Sequence, residues 1–144
     1  MLLGTFREVR LSADHVKVPD VLRSALELGF VMTRGLDRCV VVFPCKTWEQ
    51  MLGRIEQGPS YLVHDVRLFQ RHFYAGAMVG ALDSEGQISL PEDLRSYAEL
   101  GDEVVLVGLA TRLEIWNAKR WEEQQAHVME RLDEVSEALS AYEI

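Results

Sequence analysis

Two short stretches of alternating apolar and polar residues each end at a proline. In the clearer stretch, residues 87–90 (QISL) follow an acidic turn at residues 83–86 (DSEG) and precede Pro91. Alternation of this kind is typical of a half-buried strand. A proline followed by acids, here Glu92 and Asp93, is typical of a helix start, because the missing N–H would be unpaired there and the helix dipole favours negative charge. The stretch therefore predicts a turn, a strand and a short helix.

The same unit occurs twice in the chain. Residues 18–29 align with residues 90–101 at an offset of 72 and share Pro, Leu, Arg, Ser, Glu, Leu and Gly. Further on, the segment from Arg38 to Gln50 resembles the segment from Arg112 to Glu123, and Trp48 aligns with Trp121 at an offset of 73. The offset of 72 is half of the 144 residues. A period of this length is longer than the roughly 20–50 residues of solenoid repeats. We therefore predict a tandem duplication whose two halves form one compact body.

The remaining pattern predicts further strands and short helices. Strands are expected at residues 2–11, 15–18, 76–82 and 87–90 and as pairs within 31–43 and 103–116, with short helices at 20–27 and 92–98. Gly35 and Gly108 fall at corresponding points of the two strand pairs, which suggests a backbone position with positive φ at each. Gly29 is a typical helix-ending glycine.

Caps and apolar spacing predict three longer helices. Thr47 is expected to cap a helix that ends near Gly58, and Ser60 to cap a second, whose apolar face comprises Leu62, Val66, Phe69 and Phe73. A third begins near Ala118 and carries an apolar seam at spacings of four and three, formed by Val128, Leu132, Val135, Leu139 and Tyr142. Two interpretations of the seam stay open: packing on the helix's own half, or contact with another subunit.

The formal net charge of −8 is unevenly distributed along the chain. Residues 1–72 carry ten Lys and Arg against eight Asp and Glu, a net charge of +2, whereas residues 73–144 carry five against fifteen, a net charge of −10. Residues 122–144 alone hold seven acids and only Arg131, a net charge of −6. The electrostatics of this acidic tail therefore differ from those of the nearly neutral body.

The sequence contains no recognisable catalytic or metal-binding motif. It lacks a glycine-rich phosphate loop, a nucleophile elbow and a paired-carboxylate motif, and its histidines show no metal-ligand spacing. Cys39 and Cys45 are too few for a disulfide framework or a zinc site, and Cys39 is expected to be a buried free thiol. We therefore expect no enzyme activity, no cofactor, no metal and no small-molecule substrate.

The predicted location is the cytoplasm, without membrane contact. No apolar run approaches the roughly 20 residues that cross a bilayer. Residues 1–30 also lack the charged start, apolar core and cleavage site of a secretory signal.

Several motifs together resemble the MraZ family of bacterial regulators. The most specific are residues 66–71 (VRLFQR), 75–77 (AGA), 82–83 (LD), 103–108 (EVVLVG) and 114–116 (EIW). The resemblance covers nearly the whole chain and implies two AbrB-type swapped-hairpin modules, mostly β with flanking helices, packed as one pseudo-symmetric α+β body. It places the first module at 5–48, linking helices at 49–75, the second module at 76–121 and an acidic C-terminal helix at 122–144.

The DNA-contacting signature of that family, Asp-x-x-x-Arg at the hairpin turn of each module, is altered in both halves. The second half keeps Asp83 and Gly86, but Gln87 stands at the arginine position. In the first half the corresponding aspartate, glycine and arginine positions are Leu11, Asp14 and His15. Arginine provides a permanent charge and a bidentate fork for phosphate or guanine, whereas a glutamine is neutral and a histidine is mostly uncharged at neutral pH.

The expected DNA-binding set combines the signature positions with the cations of the more basic half. Its members are His15, Lys17, Arg34, Arg38, Arg67, Arg71, Asp83, Gly86 and Gln87. Asp83 is also open to a structural interpretation, because Asp-Ser-x-Gly is ordinary turn chemistry in which the carboxylate accepts backbone N–H groups.

By resemblance, the function is sequence-specific DNA binding at the promoter of the division and cell-wall gene cluster, usually as a repressor, by a ring-shaped homo-oligomer associated with the nucleoid. A ring compensates for weak single sites, because tethered modules bind successive DNA repeats intramolecularly. The alternative is an interaction or scaffold protein that keeps the fold and the ring. Its DNA binding would be weakened or lost, since both arginine positions are changed.

Overall fold

The computed structural model describes residues 1–143 as an α+β fold, as predicted. The strands are β1 (Leu2–Ser12), β2 (His15–Lys17), β3 (Phe30–Arg34), β4 (Val40–Pro44), β5 (Met78–Gly80), β6 (Gln87–Ser89), β7 (Glu103–Ala110) and β8 (Leu113–Asn117). The helices are α1 (Asp20–Arg23), α2 (Cys45–Gln57), α3 (His64–Ala75), α4 (Glu92–Tyr97), α5 (Ala118–Glu130) and α6 (Leu132–Leu139), with 3-10 turns at Ser24–Leu26 and Ser140–Tyr142. The predicted C-terminal helix extends to residue 144, which lies outside the described residues.

The two halves exchange strands within one antiparallel sheet. The strand order is β5-β3-β4-β8-β7-β1-β2-β6, so β1 of the first half pairs with β7 of the second, and β5 of the second half pairs with β3 of the first. The sheet nearly closes, because the chain runs from β5 to β6, its two edge strands, through a turn. The halves therefore form one pseudo-symmetric body. The module boundaries at 5–48 and 76–121 stay a prediction.

The main core is built from equivalent residues of both halves. Val16 and Ile88 are fully buried, as are Val18 and Leu90, and each pair is related by the offset of 72 residues. A second cluster lies under α2 and α3 and contains aromatic rings of Phe43, Trp48, Phe69 and Phe73. The heptad seam of the tail, by contrast, is exposed.

Cys39 belongs to the second cluster and is a free, buried thiol, as predicted. Burial is the main cause that raises its pKa well above the usual range, and the Glu114 carboxylate adds to the shift. Because the thiolate is the reactive form of cysteine, this side chain serves packing rather than chemistry.

The prediction that Gly35 and Gly108 need positive φ is wrong. Positive φ occurs at other glycines, namely Gly4, Gly29 and Gly86. At Gly108 the constraint is space, because a Cβ would lie 2.6 Å from the backbone nitrogen of Leu3 on the neighbouring strand β1. At Gly35 a Cβ would lie 2.7 Å from Cγ2 of Val41. Gly108 is also not a turn residue, since β7 continues to Ala110.

Several predicted helix ends are also wrong. Helix α2 begins at Cys45 directly after Pro44, so Thr47 is not its cap. Helix α3 begins at His64, and the Ser60 hydroxyl instead accepts a hydrogen bond from the Leu62 N–H in the preceding turn. The tail is not one helix, because the backbone departs from helical geometry at Arg131, with φ −109° and ψ 16°.

Substitution of Gly108 by alanine should destabilise the protein by about 1–3 kcal/mol, because the added methyl group meets backbone atoms of β1 that cannot rotate away. Gly53 provides the matched control, since it lies within α2 and a Cβ there meets nothing within 4 Å. Gly53→Ala should stabilise by about 0.5–1 kcal/mol. Urea unfolding of both variants checks this, and equal effects at the two positions would contradict the close contact of β1 with Gly108.

Residues 1–58 alone should not fold, because they lack the strands β7 and β5 that pair with β1 and β3. A fragment of this size also buries too little apolar surface to compensate for the lost partners. An amide NMR spectrum recorded beside that of the full chain tests this. Dispersed amide signals from a monomeric fragment would contradict the expectation.

Candidate nucleic-acid interface

Strands β2 and β6 form a two-stranded antiparallel ribbon across the join between the halves. The Cα partners are His15 with Ser89, Val16 with Ile88, and Lys17 with Gln87. Val16 and Ile88 are buried, so strand alternation directs the other four side chains to the outer face. The ribbon therefore brings three predicted DNA-binding residues, His15, Lys17 and Gln87, together on one face.

The two altered arginine positions lie diagonally across this ribbon. His15 and Gln87 are equivalent by the repeat, and the fully buried pair Val16 and Ile88 lies between them. Backbone hydrogen bonds extend the ribbon at both ends, from Val18 N–H to Gly86 O at 2.9 Å and from Leu90 N–H to Asp14 O at 2.7 Å. Both signatures therefore contribute to one composite surface.

Asp83 organises the turn that precedes β6. Its Oδ1 accepts hydrogen bonds from the backbone N–H groups of Glu85 and Gln87, both at 2.9 Å. The backbone closes the same turn, because Asp83 N–H donates to Gln87 O and Gly86 N–H donates to Asp83 O. The predicted turn chemistry of Asp83 is thus confirmed, and Gly86, with φ +74°, supplies the left-handed residue of the turn.

The corresponding turn of the first half has different chemistry. Its left-handed residue is Ala13, with φ 57°, and the aspartate position is the buried Leu11. Asp14 instead contacts two side chains of the ribbon. Its carboxylate lies 2.5 Å from His15 Nδ1 and accepts a hydrogen bond from the Ser89 hydroxyl at 3.4 Å. The imidazole of His15 is therefore partnered, although about two fifths of it is exposed.

Arg23 and Arg95 flank the ribbon, and the sequence interpretation did not include them. Arg23 Nε donates to Val18 O at 2.8 Å, and in the other half Arg95 Nε donates to Leu90 O at 3.0 Å. The Arg23 guanidinium lies against the turn before β6, where a Cβ added to Gly86 would be 2.3 Å from Nε of Arg23. The sequence feature that could have indicated them is an arginine at the same position of both repeats.

Arg34 and Arg38 make intramolecular contacts with residues outside the ribbon strands. Arg34 Nε donates a hydrogen bond to His72 O at 2.9 Å, and its Nη2 donates to Arg71 O at 3.3 Å. These two bonds give partners to carbonyl groups at the C-terminal end of α3. The Arg38 guanidinium lies 5.3 Å from the ring centre of Tyr97, a cation–π distance. The structure therefore does not join these two arginines to the ribbon.

Arg67 and Arg71 share the outer face of α3, one turn apart. Arg67 Nη1 donates to the carbonyl oxygens of Tyr61 and Leu62 at 3.1 and 2.9 Å, which anchors the turn before the helix. Arg71 is exposed, and within residues 1–143 its side chain makes no ion pair. These two arginines form a second cationic surface apart from the ribbon strands.

Within the described part of the chain, no group of three or more His, Cys, Asp and Glu side chains is arranged to hold a metal ion. Among the same residues, none of the helices is both long enough and apolar enough to span a membrane.

The fold and the ribbon define a class, duplicated α+β proteins whose two halves share one exposed β-ribbon. The family model described as "MraZ protein, putative antitoxin-like" matches residues 12–71 and again residues 73–140. The chain therefore belongs to the MraZ family, in agreement with the sequence resemblance.

Relatives from several bacteria are similar over nearly their full length, and each carries the name Transcriptional regulator MraZ. That of Natranaerobius thermophilus is 38% identical over 144 residues, which is 100% of both chains. That of Moorella thermoacetica is 35% identical over the same span, again 100% of both chains. That of Pediococcus pentosaceus is 38% identical over 139 residues, 96% of each chain. That name describes the relatives as regulators rather than enzymes.

Asp83→Ala should destabilise the protein by about 0.5–1.5 kcal/mol, because two backbone N–H groups lose their acceptor in a turn that water reaches. Asp83→Asn keeps an oxygen acceptor and should cost less. Chemical unfolding of both variants measures the difference. An equal loss in both would show that the charge of Asp83, rather than its hydrogen bonds, stabilises the turn.

Proposed function

We propose that this protein is a DNA-binding transcriptional regulator, not an enzyme, and that the β2–β6 ribbon is its DNA-contacting surface. The observation that supports the proposal is the composite ribbon itself, which presents both signature positions on one exposed face. A two-stranded antiparallel ribbon has the dimensions to enter the major groove of B-DNA, where base pairs are distinguishable. The name of the relatives, transcriptional regulators, agrees with this use.

The side chains on the ribbon favour a different chemistry from that of the family signature. Lys17 is suited to phosphate, as a point charge. Gln87 can form a bidentate pair with adenine, whereas an arginine at this position would favour guanine. His15 is engaged by the Asp14 carboxylate, so its contribution to DNA binding depends on release from that contact. We therefore propose weaker binding than the family pattern implies.

Arg23 and Arg95 are added to the proposed interface as flanking cations. Each anchors the end of its strand through Nε, which leaves the terminal nitrogens of the guanidinium near the ribbon edge. Asp20 engages Nη2 of Arg23 at 3.0 Å, so phosphate would compete with this carboxylate. Four other arginines stay predicted DNA contacts because of their charge alone, namely Arg34, Arg38, Arg67 and Arg71.

The proposed assembly is a ring-shaped homo-oligomer that acts in the cytoplasm, at the nucleoid. Its proposed target is the promoter of the division and cell-wall gene cluster, usually with repression. Several ribbons in one assembly would bind adjacent DNA repeats with high effective concentration, which compensates for a weak single site.

One observation favours a second function, that of an interaction or scaffold protein with the MraZ fold. Both arginine positions of the signature are changed, and both fall on the same ribbon, so neither half offers an intact copy. A gel-shift experiment with the DNA upstream of the protein's own gene discriminates between the two functions, since a scaffold would not retard that DNA.

Gln87→Arg should strengthen binding to the upstream DNA by roughly 1–3 kcal/mol if a bidentate base contact forms, with Asp83 available to orient the new guanidinium. Gln57→Arg is the matched control, because it makes the same change at an exposed residue at the end of α2. Fluorescence anisotropy on upstream and scrambled DNA at two salt concentrations measures both variants. Wild-type binding should fall steeply with salt, because phosphate contacts release counterions.

Three outcomes separate the possibilities. A gain specific to Gln87→Arg and to upstream DNA supports the ribbon as the site of readout. An equal gain from Gln57→Arg would mean that added charge alone acts. Tight, sequence-selective wild-type binding that Gln87→Arg leaves unchanged would contradict the proposal that the turn before β6 is the weakened part of the interface.

A further inference from the structure

One of the two altered signature positions on the ribbon carries a side chain that can gain a charge. This side chain is His15, whereas the equivalent position of the second half holds Gln87, an amide that does not titrate. Histidine is the side chain whose charge ordinarily changes between about pH 5 and pH 8. Because 41% of the His15 side chain is exposed, a bound molecule can reach it. We therefore expect the two ends of the ribbon to respond differently to pH.

The contact with Asp14 determines which ring nitrogen of His15 carries the proton. Nδ1 lies 2.5 Å from Oδ1 of that carboxylate. An unprotonated nitrogen at this distance would place its lone pair against the carboxylate oxygen, so the neutral ring holds its proton at Nδ1. Nε2 lies on the other side of the ring and is then only an acceptor. A neutral His15 consequently offers no donor to a phosphate oxygen unless Nδ1 leaves Asp14.

Protonation of Nε2 changes what this end of the ribbon can bind. Both ring nitrogens of the imidazolium are donors, so Nδ1 can stay beside the Asp14 carboxylate while Nε2–H is available to an anion. No release from Asp14 is then needed. A charged donor also forms a hydrogen bond to phosphate that is roughly twice as strong as one from a neutral donor. The imidazolium thereby regains part of the chemistry of the arginine in the family signature.

The surroundings of His15 leave it as the group whose charge changes. The strands that pair with β2 place uncharged residues opposite it, Ser12 on β1 and Ser89 on β6. The charged groups around this end of the ribbon come from β1, the first turn, β2 and α4, namely Arg10, Asp14, Lys17, Glu92 and Arg95. Carboxylates, lysine and arginine ordinarily keep their charge between about pH 6 and pH 8. A change of charge here in that range therefore belongs to His15.

We propose that His15 makes DNA binding by the ribbon pH-dependent, with its protonated ring donating through Nε2 to a phosphate oxygen. The inference rests on the proposed DNA-binding function of the ribbon and adds a regulation of that site. Its sign follows from linkage, because DNA favours the charged ring and binding therefore takes up a proton. Affinity rises as the pH falls through the range in which histidine titrates. The chemistry of the Gln87 end stays the same throughout.

Fluorescence anisotropy on the upstream DNA at about pH 6 and about pH 8 tests this in the full-length chain. At equal ionic strength, wild type should bind about tenfold more tightly at the lower pH, the gain expected from one charge-assisted hydrogen bond at a partly exposed site. Its salt dependence should also be steeper at the lower pH. The slope of log K against log salt should increase in magnitude by up to about 0.9, the value for one additional phosphate contact.

Two substitutions of His15 separate its charge from general effects of pH. His15→Gln makes both signature positions glutamine, so binding should be weak at both pH values and lose the tenfold difference. His15→Arg carries a permanent charge and should bind tightly at both pH values. The matched control is His127→Gln, because His127 is an exposed histidine on α5, outside the ribbon. This variant should keep the wild-type pH dependence, and circular dichroism verifies that each variant is folded.

The opposing outcomes are distinct. Equal wild-type affinity at the two pH values, or a pH dependence that His15→Gln or His15→Arg retains, would overturn the inference and leave the DNA-binding function of the ribbon intact. Loss of the pH dependence in His127→Gln as well would also overturn it. Upstream DNA that wild type binds at neither pH would overturn the proposed function, and the inference with it.

Discussion

The pairing of β1 with β7 is the contact on which the rest of the molecule depends. The backbones meet at Gly4 and Gly108, and at Gly108 the space left beside β1 is too small for a side chain. This pairing, with its counterpart between β5 and β3, places the first strand of each half in the sheet of the other. As a result the chain between the exchanged strands crosses the join, and β2 and β6 meet there as a ribbon.

A ribbon made from both halves has a consequence for recognition. In a protein with two separate sites, one altered signature would leave an intact site elsewhere. Here His15 and Gln87 are two corners of one surface, so both altered positions fall within the same proposed DNA contact. The chemistry that remains, a lysine, an amide and the anchored Arg23 and Arg95, supports phosphate binding better than guanine recognition.

The repeat, most strands and the Asp83 turn could be predicted from the sequence, because local periodicity and turn chemistry determine them. The role of Gly108 could not, because a glycine needed for space resembles a glycine needed for positive φ until its neighbour is known. Arg23 and Arg95 were missed for a related reason, since their significance comes from tertiary proximity to the ribbon. The helix break at Arg131 also escaped prediction, because the heptad seam continues across it.

The charge of the tail bears on the proposed DNA surface. A free tail with a net charge of −6 would repel DNA wherever it came within a Debye length of the ribbon, about 8–10 Å at moderate salt. Salt screens this repulsion and also weakens phosphate contacts through counterion release, so the two effects of ionic strength on DNA binding oppose each other.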